Sequence, residues 1–217
     1  MGKYFGTDGF RGEANKTLTF EHAIKIGRYL GWYYGLRLNR KAKVVIGKDT
    51  RRSSYMFEYA LCTGLTASGA DAYIMHVTTT PSVAYIARVD DFDCGIMISA
   101  SHNPYYDNGI KVLNGNGEKM EEEVLLKIED YIDGKGEVPL AERDKIGKTV
   151  DYVAGRNRYI GFLISLFLEI NQKVNCDEFP SKAPLVCVFV FAGLFIFVVL
   201  VLAVIISLLV KSRAALG

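Results

Sequence analysis

Residues 94–109 read CGIMISASHNPYYDNG, in which an apolar run ends abruptly in hydroxyl, imidazole and amide side chains and a proline. A buried strand that ends in this way delivers a loop to the edge of a sheet, where functional residues concentrate. The hydroxyl of Ser101 could be presented to a ligand there, and His102 and Asn103 could orient or polarise it. Serine, asparagine and proline also form ordinary turns. On this stretch alone, a reactive or phosphorylated serine and an inert turn both stay open.

Apolar patterns on both sides of this loop predict the rest of the fold. Strands are expected at residues 44–46, 72–77, 94–98 and 109–113, and helices at 19–38, 51–68 and 120–131, with a short helix from Thr80. The helix at 51–68 is expected to turn inward Met56, Tyr59, Ala60, Thr63 and Leu65. This alternation predicts a single three-layer α/β/α domain with a mainly parallel sheet. Because ligands gather beyond the carboxyl ends of parallel strands, the loops at Gly47 and Ser99 should share one edge.

Charge and cysteine usage give no support to nucleic-acid-binding or zinc-binding classes of protein. The 217 residues carry a formal net charge of +2, which gives no reason to expect nucleic-acid binding. The four cysteines have no zinc-binding spacing and suit a reducing compartment.

The end of the chain has a different composition. Residues 185–210 contain no charged side chain, and as a helix they would reach about 39 Å, more than the roughly 30 Å hydrocarbon core of a bilayer. The pattern predicts a hydrophobic transmembrane helix in contact with membrane lipid. The expected arrangement is a cytoplasmic domain with a single-pass C-terminal anchor, and the alternative is a cytoplasmic fragment.

Two glycine-containing segments accompany the serine loop. Residues 5–12 read FGTDGFRG, in which glycines allow a ligand to approach the backbone and Arg11 offers a charged fork to a phosphate. Residues 47–54 read GKDTRRSS, at a strand end that opens a helix, where backbone N–H groups can hold an anion. Each segment alone is also explained by an ordinary turn or helix cap.

In this order, FGTDGFRG, GKDTRRS and ISASHNPYYDNGIK resemble the motifs of the α-D-phosphohexomutases. The resemblance covers roughly residues 1–166, about the first of the family's four domains and the entry to the second. It is strongest to members that interconvert glucosamine 6-phosphate and glucosamine 1-phosphate. It implies an isomerase that acts by intramolecular phosphotransfer through a phosphoserine, with a hexosamine phosphate as substrate.

The resemblance also implies roles for individual residues. Ser101 matches the phosphorylated serine, whose phosphate would bind Mg²⁺, the expected cofactor. Arg11 and Lys111 match positions near the transferring group, and His102 matches a loop histidine that either takes part in the chemistry or orients the loop. Six further positions match residues that bind substrate or phosphate: Thr7, Asp8, Gly9, Asn103, Lys48 and Arg51.

The chain departs from the family pattern after about Leu166. The aspartate-rich metal loop, the sugar-recognition loop and the C-terminal phosphate loop have no counterpart in the sequence. The expected division is a catalytic-serine domain at 1–135, a linker and truncated second domain at 136–166, a connector at 167–184, the apolar helix at 185–210 and a tail at 211–217.

Three interpretations therefore stay open. The chain is an incomplete mutase with little or no turnover, a membrane-tethered module that binds phosphosugar without catalysis, or a truncated or frameshifted fragment. Exposed surface that other domains would otherwise cover is expected to cause self-association.

Overall fold

The computed structural model describes residues 2–173, with side chains to residue 168. One compact unit runs to Leu163. The strands are β1 Phe5–Gly6, β2 Gly9–Glu13, β3 Ala42–Lys48, β4 Ala70–Val77, β5 Cys94–Ile98, β6 Asp107–Asn114 and β7 Thr149–Asp151. The α-helices are α1 Phe20–Tyr34, α2 Arg52–Ala67, α3 Thr80–Val89, α4 Glu122–Ile132 and α5 Val153–Lys173, and short 3₁₀ helices lie at Leu36–Leu38 and Arg143–Lys145.

The seven strands form one mixed sheet in the order β1-β2-β6-β5-β3-β4-β7. Strands β5, β3, β4 and β7 are parallel neighbours, whereas β6, β2 and β1 extend the sheet in antiparallel pairs. Helices follow β3 and β4 and allow parallel crossovers, while the short loop after β5 permits only an antiparallel return. The predicted parallel core is confirmed, and the antiparallel part places β2 beside β6.

Alternating side chains of the sheet face two separate apolar cores. Val44 and Ile46 on β3 pack into the core shared with α1, α2 and α4, whereas Val45 packs with α3 on the opposite face. The period of two along the strand produces this division. The chain therefore has the predicted three-layer α/β/α architecture.

The predicted inward face of α2 was partly wrong. Tyr59 is 65% exposed and Thr63 is also exposed, with its hydroxyl donating to the Tyr59 carbonyl at 2.9 Å. The buried stripe instead follows Phe57, Leu61 and Leu65 at a four-residue spacing. Tyr59 and Thr63 were assigned to the inward face from their residue types. Residue type alone does not fix which face of a helix is buried.

No helix within residues 2–173 is long and apolar enough to cross a membrane. The predicted transmembrane helix at 185–210, the connector beyond residue 173 and the tail lie outside the described residues. Strand β7, which falls within the predicted 136–166 linker, pairs with β4 in the same sheet. The domain boundaries drawn from the sequence stay predictions.

Candidate active site

Ser101 lies in a sharp turn between β5 and β6. Its φ of 56° is in the left-handed region, which non-glycine residues seldom adopt. The turn is closed by hydrogen bonds from the Ser101 N–H to Ser99 Oγ at 3.1 Å and from the Asn103 N–H to the Ala100 carbonyl at 3.1 Å. The exposed Ser101 hydroxyl lies 3.4 Å from Nδ1 of His102. This conformation presents the hydroxyl to solvent at the end of a fully buried strand.

The loop after β3 lies against the Ser101 loop, as the shared-edge argument predicted. The Asp49 N–H donates to the Ile98 carbonyl at 2.9 Å, which joins the ends of β3 and β5. The guanidinium of Arg51 donates to the Ser101 and Asn103 carbonyls, both at 2.9 Å. Strand adjacency thus brings two segments that are distant in the sequence into direct contact.

Arg11 reaches the same loop from β2. The antiparallel register pairs Arg11 with Gly109, at the start of β6. Its Nη1 donates to Asn103 Oδ1 at 3.3 Å, and its Nη2 lies 3.0 Å from Asp8 Oδ2. Its Nε is buried without a hydrogen-bond partner. Arg11 is therefore a cation adjacent to the serine loop whose Nε–H is not committed to any protein acceptor.

Thr7 and Asp8 form the turn between β1 and β2, and this turn packs on Lys111 together with Gly9, the first residue of β2. Gly9 has a φ of 93°, and a Cβ there would lie 2.5 Å from the Ile110 carbonyl oxygen and 3.0 Å from Cγ of Lys111. Only glycine allows this approach without strain. The turn and Lys111 line a small cavity of about 100 Å³.

A larger open groove of about 780 Å³ runs along the Ser101 loop. Its lining includes Ser101 and Asn103, the start of α2 and two tyrosines that sequence analysis did not select, Tyr105 and Tyr106. Tyr105 is 86% exposed. The position of Tyr105 directly after the Asn103-Pro104 turn was the sequence feature that could have identified it as a groove residue.

A buried polar network under the loop was also missed. Asn108 is fully buried, and its amide donates to Ser53 Oγ at 2.8 Å and Ser54 Oγ at 2.9 Å. Ser54 in turn donates to Asp49 Oδ1 at 2.7 Å. Buried polar side chains need such partners, so the network fixes the ends of both loops.

The structure does not bring Lys48 to the loop surface. Its side chain points into the core, where it forms a buried ion pair with Glu58 and lies 4.1 Å from the Tyr55 ring centroid. The resemblance of GKDTRRS to the family motif implied that Lys48 binds substrate or phosphate. The last residue of β3 instead directs its side chain inward, and the ammonium group is enclosed.

The described residues do not fit Mg²⁺ by themselves. Within residues 2–173 there is no group of three or more His, Cys, Asp or Glu side chains that could hold a metal ion. Asp107, the carboxylate next to the loop in sequence, already accepts from the Asn103 amide, and Asp49, on the neighbouring loop, accepts from Arg51 and Ser54. A phosphate on Ser101 would supply oxygen ligands, but Mg²⁺ requires a fuller octahedral set.

The layered mixed sheet and the exposed serine hairpin define a phosphohexomutase-type domain. Residues 2–138 match the model of the phosphoglucomutase/phosphomannomutase α/β/α domain I, and the chain belongs to this family. It is similar to the phosphoglucosamine mutase of Lachnospira eligens, with 72% identity over 168 residues, which are 76% of this chain and 37% of the relative. The phosphoglucosamine mutase of Lachnoclostridium phytofermentans is also 72% identical, over 167 residues, with the same two coverages.

Solved structures show the same fold. A phosphoglucomutase/phosphomannomutase family protein from Burkholderia thailandensis matches 69% of this chain and 32% of its own, with 25% identity and a TM-score of 0.57. A putative phosphomannomutase from Thermus thermophilus matches 70% and 34%, with 27% identity and a TM-score of 0.56. The chain spans about a third of the length of these curated and solved relatives.

Proposed function

We propose that Ser101 carries a phosphoryl group that it exchanges with a hexosamine phosphate. The observation that carries this proposal is the left-handed, exposed Ser101 at the end of a buried strand, beside Arg11 and Asn103. Backbone strain of this kind concentrates at functional sites. The similarity to phosphoglucosamine mutases supports glucosamine 6-phosphate and glucosamine 1-phosphate as the pair that is interconverted.

In the proposed reaction, a sugar hydroxyl attacks the phosphorus of phosphoserine, and the bond between phosphorus and the Ser101 oxygen breaks. The sugar hydroxyl gives up its proton and the departing serine oxygen takes one up, so the products are the sugar bisphosphate and a free serine. After the bisphosphate reorients, Ser101 attacks its other phosphoryl group, which restores the phosphoserine and releases the isomeric monophosphate. One full cycle therefore regenerates the phosphoserine and leaves the total number of phosphoryl groups on enzyme and sugar unchanged.

Positioning and charge stabilisation are the main requirements of phosphoryl transfer. Arg11 would stabilise the negative charge of the transferring group, because its guanidinium lies against the serine loop. Lys111, beside the Thr7-to-Gly9 turn, would serve as a second cation or a proton carrier. His102 would orient the Ser101 hydroxyl from 3.4 Å. No step is assigned to Mg²⁺, since the described side chains do not form its binding site.

Substitution of Ser101 by alanine tests the proposal directly. Incubation of the full chain with glucosamine 1,6-bisphosphate is expected to add one phosphate, and S101A is expected to gain none, because the accepting oxygen is removed. Intact-mass measurement reads the result. T50A, which removes an exposed hydroxyl from the same groove, is the matched control and should still be phosphorylated. A phosphate on S101A, or an unmodified wild type, would contradict the proposal.

We further propose that this chain alone turns over glucosamine 6-phosphate little or not at all, because the described residues hold the serine loop without a metal-binding cluster. A coupled assay for glucosamine 1-phosphate measures turnover. Steady production by the purified chain would reject this part. A membrane-tethered binding module is the alternative, and it predicts sugar-phosphate binding with no phosphate gain at Ser101.

The predicted membrane helix at 185–210 and cytoplasmic location remain proposals, as does self-association. Fractionation of cells that express the full chain tests the anchor, and sedimentation of the purified chain tests association.

A further inference from the structure

Arg51 precedes α2, and its side chain is only 11% exposed. Its guanidinium extends across the concave side of the Ser101 loop. Nη2 donates to the Ser101 and Asn103 carbonyls, and Nη1 donates to the carbonyls of Pro104 and Asp107. Three of the accepting residues lie on the turn that carries the serine hydroxyl, and the fourth, Asp107, begins β6 directly after it.

The fifth donor of the guanidinium is also occupied. Nε donates to Asp49 Oδ2 at 2.9 Å, while Asp49 Oδ1 accepts the backbone N–H of Arg51 at 3.0 Å. A guanidinium has five N–H donors and no acceptor. All five are therefore committed to protein oxygens, and none remains for a phosphate.

We propose that Arg51 is a positioning residue for Ser101, in place of the phosphate-binding residue that the sequence predicts. Its fork connects the carbonyls of the turn and stabilises the left-handed conformation of Ser101. Its importance for catalysis rests on the proposed function, whereas its effect on the loop does not depend on any ligand.

Lysine cannot replace this residue. An ammonium group is a point charge with three donors, and it cannot span four carbonyls and a carboxylate in a planar array. R51K therefore keeps the charge and loses the geometry. R52K is the matched control, because Arg52 is the adjacent, exposed arginine at the start of the same helix.

Hydrogen exchange of the full chain without phosphate or sugar measures the loop. The amides of Ser101, Asn103 and Asp107, which are hydrogen-bonded within the turn, are expected to exchange about ten- to a hundredfold faster in R51K. R52K should match wild type. Unchanged exchange in R51K would overturn the proposal.

The conformation of Ser101 provides a readout that general destabilisation would not move. Its ¹³Cα and ¹³Cβ chemical shifts report the backbone dihedrals, so R51K should shift them away from left-handed values while the β3 and β4 signals stay in place. Shifts that remain left-handed in R51K would also reject the role.

A second variant keeps the proposal testable if R51K does not fold. D49N weakens the acceptor of Nε but leaves the four carbonyl contacts, and it should raise loop exchange by less than R51K does. If R51K fails to fold, wild-type exchange in D49N would overturn the proposal. A chain that shows the loop effect but accepts no phosphate at Ser101 would reject the proposed function and leave the positioning role intact.

Discussion

Replacing Glu58 with glutamine is expected to lower the free energy of unfolding by about 3–5 kcal/mol, because a buried ammonium group loses its counter-charge. Lys48 and Glu58 are both about 2% exposed, and they form a direct ion pair between β3 and α2. The glutamine is nearly isosteric, so packing is preserved while the charge is removed and one acceptor oxygen is replaced by an N–H donor group. Urea unfolding of the wild type and E58Q measures the difference.

The second oxygen of Glu58 is buried without a hydrogen-bond partner, so the pair is incompletely satisfied. Replacement of both residues by methionine should therefore recover most of the lost stability, since apolar side chains of similar volume often match a buried pair. E123Q, at an exposed ion pair on α4, should unfold like the wild type. Equal stability of E58Q and wild type would show that the buried pair does not stabilise the fold.

Substitution of Glu129 by glutamine is the second prediction with a large expected effect. The carboxylate of Glu129 on α4 is 6% exposed and accepts three backbone N–H groups, from Lys3 at 2.7 Å, Tyr4 at 2.8 Å and Phe5 at 2.7 Å. An amide has one acceptor oxygen and presents N–H donors where the other oxygen was. The free energy of unfolding is expected to fall by about 3 kcal/mol, because hydrogen bonds to a charge are lost and a buried donor is left unpaired.

Which amides exchange faster in E129Q is as informative as how far the free energy of unfolding falls. Because Glu129 anchors the chain just before the turn at Thr7, the amides of Lys3, Tyr4 and Phe5 should exchange faster in E129Q than in the wild type. D130N changes the next, exposed carboxylate on the same helix and should leave those amides unaffected. Wild-type exchange at these amides in E129Q would contradict an anchoring role.

Periodic apolar segments were predictable from the sequence. Strands β3, β4, β5 and β6 and helices α1 to α4 all follow patterns that local burial imposes. The shared edge of the loops at Gly47 and Ser99 was also predictable, because parallel strands align their carboxyl ends.

Long-range pairing was not predictable in the same way. The glycine-rich FGTDGFRG segment shows no clear alternation, yet it forms β1 and β2 because β6 offers an open edge. The direction in which a single side chain points was equally hard to predict from the sequence, as Lys48 and Arg51 show. Both are basic residues beside one loop, but Lys48 pairs inside the core and Arg51 lies under the serine turn.

The pairing of β2 with β6 has a consequence for the order of events during synthesis. Phe10 pairs with Ile110, so β2, one of the first strands of the sheet to leave the ribosome, must wait for β6, one of the last, before it has a neighbour on that side. The contact between Arg11 and Asn103 joins residues 92 positions apart in the chain, and such long-range contacts form slowly. In a nascent chain that stops before β6, β2 has no strand to hold Arg11 beside the Ser101 loop.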